Sequence, residues 1–173
     1  MFHVSRFHVS RGRRALLAVA VLLAIPDASL AGPKAGACTA GQAELKPLQP
    51  LTLVTDKGRF NLKVEVADTS QSRETGLMCR TRLAPDGGML FDFKRPTDGV
   101  GFWMHNTLIP LDIIFIRFDG HIARIAANAA PEDLSLIESG EPVAAVLEIA
   151  GGGAAAAGIT EGDVVRWPGA PAS

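Results

Sequence analysis

The 173-residue chain has little net charge, few cysteines and no long membrane-spanning apolar run. Lys and Arg total 17 against 18 Asp and Glu, a formal charge of −1. A nucleic-acid-binding protein usually carries a basic excess, so that partner class is disfavoured. Two cysteines exclude a multi-disulfide scaffold. Several catalytic signatures are also missing. There is no Gly-x-Ser-x-Gly elbow, no His-Glu-x-x-His and no Cys-x-x-Cys. Gly151-Gly152-Gly153 lacks a following Lys-Ser/Thr and has no phosphate-loop spacing. The sequence therefore assigns no cofactor and no metal. With 47% hydrophobic residues, the chain can still bury a single-domain core.

What is present at the start reads as an export signal. Arg6, Arg11, Arg13 and Arg14 precede an uninterrupted apolar run from Ala15 to Ile25. Pro26, Asp27 and Ala28-Ser29-Leu30-Ala31 follow, with Ser29 and Ala31 at the −3 and −1 positions of a cleavage site. A transmembrane helix needs roughly 20 apolar residues, and this run is too short. Residues 1–31 are thus read as a signal peptide and the product as periplasmic or secreted. Removing four Arg and one Asp leaves 13 basic and 17 acidic groups, a charge of −4. In an oxidising compartment Cys38 and Cys79 allow a single pairing; two unpaired thiols are the alternative.

Residues 32–50 carry little apolar pattern and read as a flexible leader, with 168–173 as a tail. Between them, 51–167 reads as one β-rich domain. Phe60, Leu62, Val64 and Val66 alternate with polar residues, the period of a half-buried strand. Leu51–Thr55 completes a hairpin with it. Asp68 with Gln71 three residues on marks a short helix start. Further strands are expected at Gly88–Phe93, Leu111–Phe118, His121–Ile125, Val143–Ile149 and from Gly162. Lys94–Gly99, containing Pro96, is expected to be a loop. Asp119-Gly120 is a strong hairpin signal. The expected fold is mainly β, a compact antiparallel sandwich or barrel, jelly-roll-like, with one or two short helices.

Three runs occur in order at a specific spacing: Arg73-Glu74-Thr75-Gly76-Leu77-Met78-Cys79-Arg80, Gly88-Met89-Leu90-Phe91, and Phe102-Trp103-Met104-His105-Asn106-Thr107 with Pro110-Leu111-Asp112-Ile113. Together they resemble the bacterial and archaeal domain-of-unknown-function family 192. That resemblance implies a compact, β-rich, jelly-roll-like domain, often exported, with no established activity. The chain departs from the family at His105, where Lys or Arg is usual, and a histidine titrates near neutrality.

Candidate site residues follow from the same runs. Strand alternation would put Trp103, His105 and Thr107 on one face, a platform for a small polar ligand; the plain structural reading makes Trp103 core and Asn106 a turn residue. Asp112 interrupts an apolar strand and must find partners. It is either a hydrogen-bond anchor or one carboxylate of a site, with Glu148 as the second. Arg73 and Arg80, with Arg82, Arg59 and Lys63 nearby, could receive an anion; the alternative is a solvated face. The favoured reading is a non-enzymatic module of the cell envelope binding an unknown small ligand or envelope protein through Arg73, Arg80, Trp103, His105, Asn106 and Asp112. The alternatives are a hydrolase-like enzyme using Asp112 and Glu148 on an envelope or glycan substrate, and a structural accessory protein without a ligand.

Overall fold

The computed structural model describes Cys38 and residues 47–170. The signal peptide read over 1–31, most of the leader and residues 171–173 lie outside them. Alternation in the second apolar run is taken up by β2 (Gly58–Ala67), which pairs antiparallel with β1 (Gln49–Thr55) through the turn at Asp56-Lys57. α1 (Ser70–Thr75) follows, capped by Thr69 rather than Asp68. The Ser72 N–H donates to Thr69 Oγ1 while the Thr69 N–H donates to Ser72 Oγ, so two orphan donors are satisfied reciprocally. β3 (Gly87–Thr97) runs further than expected, through Lys94 and Pro96, because its pairing with β8 shifts register between Asp92 and Thr97. Such an irregularity accommodates a proline within a strand. The remaining elements are β4 (Gly101–Phe102), β5 (Leu111–Ile116), β6 (Ile122–Ala129), β7 (Ile137–Glu138), β8 (Val143–Ala150), α2 (Gly153–Ala157) and β9 (Val164–Arg166).

Seven strands form one sheet in the order β6-β5-β8-β3-β2-β1-β9, and β4 pairs with β7 in a separate ribbon. The mainly β class holds, with one pair parallel: β2 and β3, Val64 opposite Gly88. A parallel pair requires a crossover, which α1 and the segment up to Gly87 supply. The sheet curls into a half-barrel until its edges touch at one end. There the Ile122 N–H donates to the Asp163 carbonyl (2.8 Å), and the Val165 N–H donates to the Gly120 carbonyl (2.8 Å). Gly120, at φ +86, makes the Asp119-Gly120 turn; a Cβ on it would lie 3.0 Å from the Val165 oxygen. A side chain there would wedge the seam open.

Curling gives the sheet two apolar faces. Leu53, Val64, Leu90, Ile114, Leu147 and Val165 fill the inside. Leu77, Met89, Phe91, Met104, Ile113 and Phe115 form a second core on the outer face, shared with Phe102 of the β4–β7 ribbon. β5 is buried along its whole length, as its continuous apolar run requires. Each large side chain fully buried here contributes roughly 1.5–3 kcal/mol. Alternation along β8 places Leu147 and Ile149 inside, and Val146 outside. Glu148, between them, belongs to the outer face.

Cys38 and Cys79 are joined by a disulfide. It lies beside Asn106, whose carbonyl accepts the Cys79 N–H at 2.8 Å. The cross-link spans 41 residues of sequence, so the lost freedom of the unfolded chain corresponds to roughly 4 kcal/mol. A Cys38→Ser/Cys79→Ser double variant is expected to lose a stability of that order in urea denaturation. A loss below about 1 kcal/mol would show that the tether constrains little in the unfolded chain.

Candidate functional site

Among the described residues four acidic side chains are buried: Glu65, Asp92, Asp112 and Glu148. A buried carboxylate without partners is costly, so the partners of each decide what it does. Asp112, fully buried, has three. Its Oδ1 accepts the Asn128 N–H (2.8 Å) and the Gly152 N–H (3.0 Å), and its Oδ2 accepts the Ala154 N–H (2.8 Å). The β5–β6 register shifts between Leu111 and Ile113, and Asn128 sits at φ +52, which turns its N–H toward the carboxylate. Asp112 therefore ties β5 to β6 and to the first turn of α2. It is an anchor.

Glu65 forms an ion pair with Arg80 at 2.8 Å, both nearly excluded from solvent. This pair pins the segment after α1 onto β2. Asp92 Oδ2 takes the Lys94 ammonium (2.7 Å) and the Trp167 indole N–H (3.3 Å), while its Oδ1 accepts the Lys94 N–H (2.8 Å).

Glu148 differs. Its side chain is 4% exposed, and among the described residues it has no hydrogen-bond or ion-pair partner. Burial alone pushes its carboxyl up to about 8. It pairs across the sheet with Met89 of β3 and Ile113 of β5. Gly88, beside Met89, permits this approach: a Cβ there would come within 2.6 Å of the Glu148 backbone oxygen.

Glu148 lines a cleft of about 480 Å³ on the outer face. Leu77, Phe91, Val100 and Thr107 are the other buried side chains of its wall. Phe93, Phe102, Trp103, Arg73 and Glu74 make up the more exposed part. Phe91 and Phe102 meet edge to face at 4.8 Å. The Arg73 guanidinium lies over Phe93, 5.7 Å from the ring centroid, and its Nη1 is 3.4 Å from the Asp92 carbonyl oxygen. Trp103 is 53% exposed.

Of the residues singled out in the sequence, Arg73, Trp103, Thr107 and Glu148 converge on this cleft. His105 stacks beside Trp103, ring centroids 5.3 Å apart, although the strand ends at Phe102 and residues 105–106 form a turn. Proximity here comes from the turn and not from strand alternation. Asn106 stands in that turn at φ +54. Arg80 does not line the cleft, since it is bound to Glu65. Asp112 lies on the other face of the sheet from Glu148, aligned with Ile149 while Glu148 aligns with Ile113. The two carboxyls therefore do not form a working pair. Among the described residues no group of three or more His, Cys, Asp or Glu is placed to hold a metal ion, and no helix is long and apolar enough to cross a membrane.

Sequence reasoning missed the aromatic wall. Phe91, Phe93 and Phe102 read as ordinary strand residues, and only the crossover after β2 brings α1 over them. A signal was available in the two-residue spacing of Phe91 and Phe93, which puts both on one face.

The same fold occurs in two solved structures. A putative transcription regulator from Sinorhizobium meliloti 1021 is 42% identical, covers 75% of this chain and 99% of its own, and superposes with a TM-score of 0.70. A protein of unknown function from Novosphingobium aromaticivorans DSM 12444 is 43% identical over 79% of this chain and 99% of its own, with a TM-score of 0.68. No curated protein matches the chain. The family model DUF192, described as an uncharacterized ACR, matches residues 52–167. The chain belongs to the DUF192 family.

Proposed function

We propose that this protein is an exported, non-enzymatic binding module of the cell envelope, and that the cleft between α1, β3, β8 and the Gly101–Thr107 segment takes a small ligand. One observation carries this reading: Glu148 is buried in the cleft wall without a partner among the described residues, while Glu65, Asp92 and Asp112 all have theirs. A carboxyl kept in that state costs stability, and such costs are characteristic of functional positions. A cleft of about 480 Å³ falls within the range of small-molecule sites. Export is supported by the basic, apolar and small-residue order of residues 1–31 and by the disulfide. The Sinorhizobium relative is described as a putative transcription regulator, but the formal charge of −1 here disfavours a DNA-binding role. The separation of Asp112 and Glu148 onto opposite faces favours binding over acid–base hydrolysis.

A thermal-shift screen tests the reading, using cationic, anionic, neutral polar and apolar small molecules against the oxidised protein. Ligands of the cleft are expected to raise the Tm of the wild type and not that of Trp103→Ala. Trp103 is largely exposed, so the substitution itself is expected to cost less than about 1 kcal/mol. A screen without hits, or hits indifferent to Trp103→Ala, would overturn the assignment of the cleft.

A further inference from the structure

Resting on the reading of the cleft as a ligand site, we infer that its ligand is a small free alkylammonium ion, whose cationic head meets the Glu148 carboxylate within the aromatic wall of Phe91, Phe93, Phe102 and Trp103. The protein itself supplies partners to its other buried acids. Glu65 receives a guanidinium, Asp92 an ammonium, and Asp112 three N–H groups. Glu148 receives nothing from the described residues, and it lines the cleft. The complement to a carboxylate in a largely apolar site is a cation, since Coulombic attraction is stronger there than in water and offsets part of the cost of ionising the carboxyl. The walls agree. Four aromatic side chains line the same cleft, and ring faces attract ammonium groups, quaternary ones included.

The charged groups around Glu148 are compatible with this. Arg73 and Glu74 of α1 both line the cleft and oppose one another in sign. Arg73 is engaged over Phe93. Glu65 of β2 pairs with Met89, which in turn pairs with Glu148, but Glu65 is bound to Arg80. His105 stacks on Trp103 at the edge of the site. Burial makes ionisation of Glu148 the step that cation binding must drive. Binding near neutral pH therefore releases a proton from that carboxyl to solvent, and affinity rises with pH.

Choline and its uncharged carbon isostere, 3,3-dimethyl-1-butanol, separate charge from shape, and butanoate supplies the opposite charge. Each is titrated into the oxidised full chain at pH 6.5 and pH 9, following tryptophan fluorescence and, in weakly buffered solution, proton release. At pH 9 choline is expected to bind at least about tenfold more tightly than the isostere, through Coulombic and cation–π attraction. Because choline keeps its charge throughout, its affinity is expected to fall roughly thirtyfold at pH 6.5 if only ionised Glu148, titrating at about 8, accepts it. Glu148→Gln is expected to reduce choline to the affinity of the isostere and to abolish proton release. His121→Gln, at a position that does not line the cleft, is expected to leave both intact. Equal binding of choline and isostere, lost together in Trp103→Ala, would overturn the cationic assignment and leave the binding cleft standing. Preference for butanoate would do the same. No binding by any of the three would overturn the alkylammonium inference, and the wider screen then decides separately whether the cleft binds another class.

Discussion

Lowering the pH from 9 to 6 is expected to stabilise the ligand-free protein by a contribution on the order of 3 kcal/mol from one residue, Glu148. Its folded-state pKa is about 8 against an ordinary 4.5, raised by burial. Between those values the folded state holds a proton that the unfolded state releases, so stability falls as pH rises through the window and levels off above it. Each unit of separation corresponds to about 1.4 kcal/mol. Glu148→Gln keeps the shape and removes the ionisation. It is expected to flatten this part of the pH profile and to be more stable than the wild type at pH 9 by at least that margin. Urea denaturation at several pH values reads both effects. A variant with the wild-type pH slope, or one less stable at pH 9, would mean that Glu148 is already compensated and that the cleft holds no unmet charge.

Much of the fold was legible because local rules governed it. The period of two in Phe60–Val66, the Asp119-Gly120 turn and the covered run of β5 all survive in the structure. Local signals misplaced the helix cap by one residue, from Thr69 to Asp68, since either side chain can cap a helix and only the backbone path decides. What local rules could not supply was register between distant strands. The parallel pairing of β2 with β3 depends on the crossover packing over the sheet, and no alternation reports it. The same limit governed the site. Asp112 and Glu148 are each conspicuous as acids among apolar neighbours, but the register of β5 on β8 puts them on opposite faces. Glu65 shares the polar parity of Asn61 and Lys63 along β2, both exposed, yet is buried with Arg80 by the segment that follows α1. Polar parity marked a face; it did not say whether that face would be covered.

Asp112→Asn is expected to destabilise the protein by about 3 kcal/mol or more, the opposite sign to Glu148→Gln. Both substitutions replace a buried carboxyl by an amide of the same shape, so the difference lies in what surrounds them. Around Asp112 each hydrogen-bond partner is a donor: Asn128, Gly152 and Ala154 all direct backbone N–H groups at its two oxygens within 3.0 Å. An amide offers one oxygen and one NH2. Orienting the oxygen toward Asn128 and Gly152 sets the NH2 against the Ala154 N–H, and the reverse orientation leaves two N–H groups facing it. Either way a buried donor loses its acceptor, and a charge-assisted interaction is replaced by a neutral one. The loss should be readable in equilibrium denaturation at neutral pH. It should also appear as faster hydrogen exchange at the Asn128, Gly152 and Ala154 amides, because the bulge in β6 and the start of α2 are held by that one side chain. A change within about 1 kcal/mol would show that solvent or backbone rearrangement replaces the carboxylate, and Asp112 would lose its role as the anchor. Were both amides instead to stabilise the fold, Asp112 would have to be regarded with Glu148 as an acid held against the interest of stability.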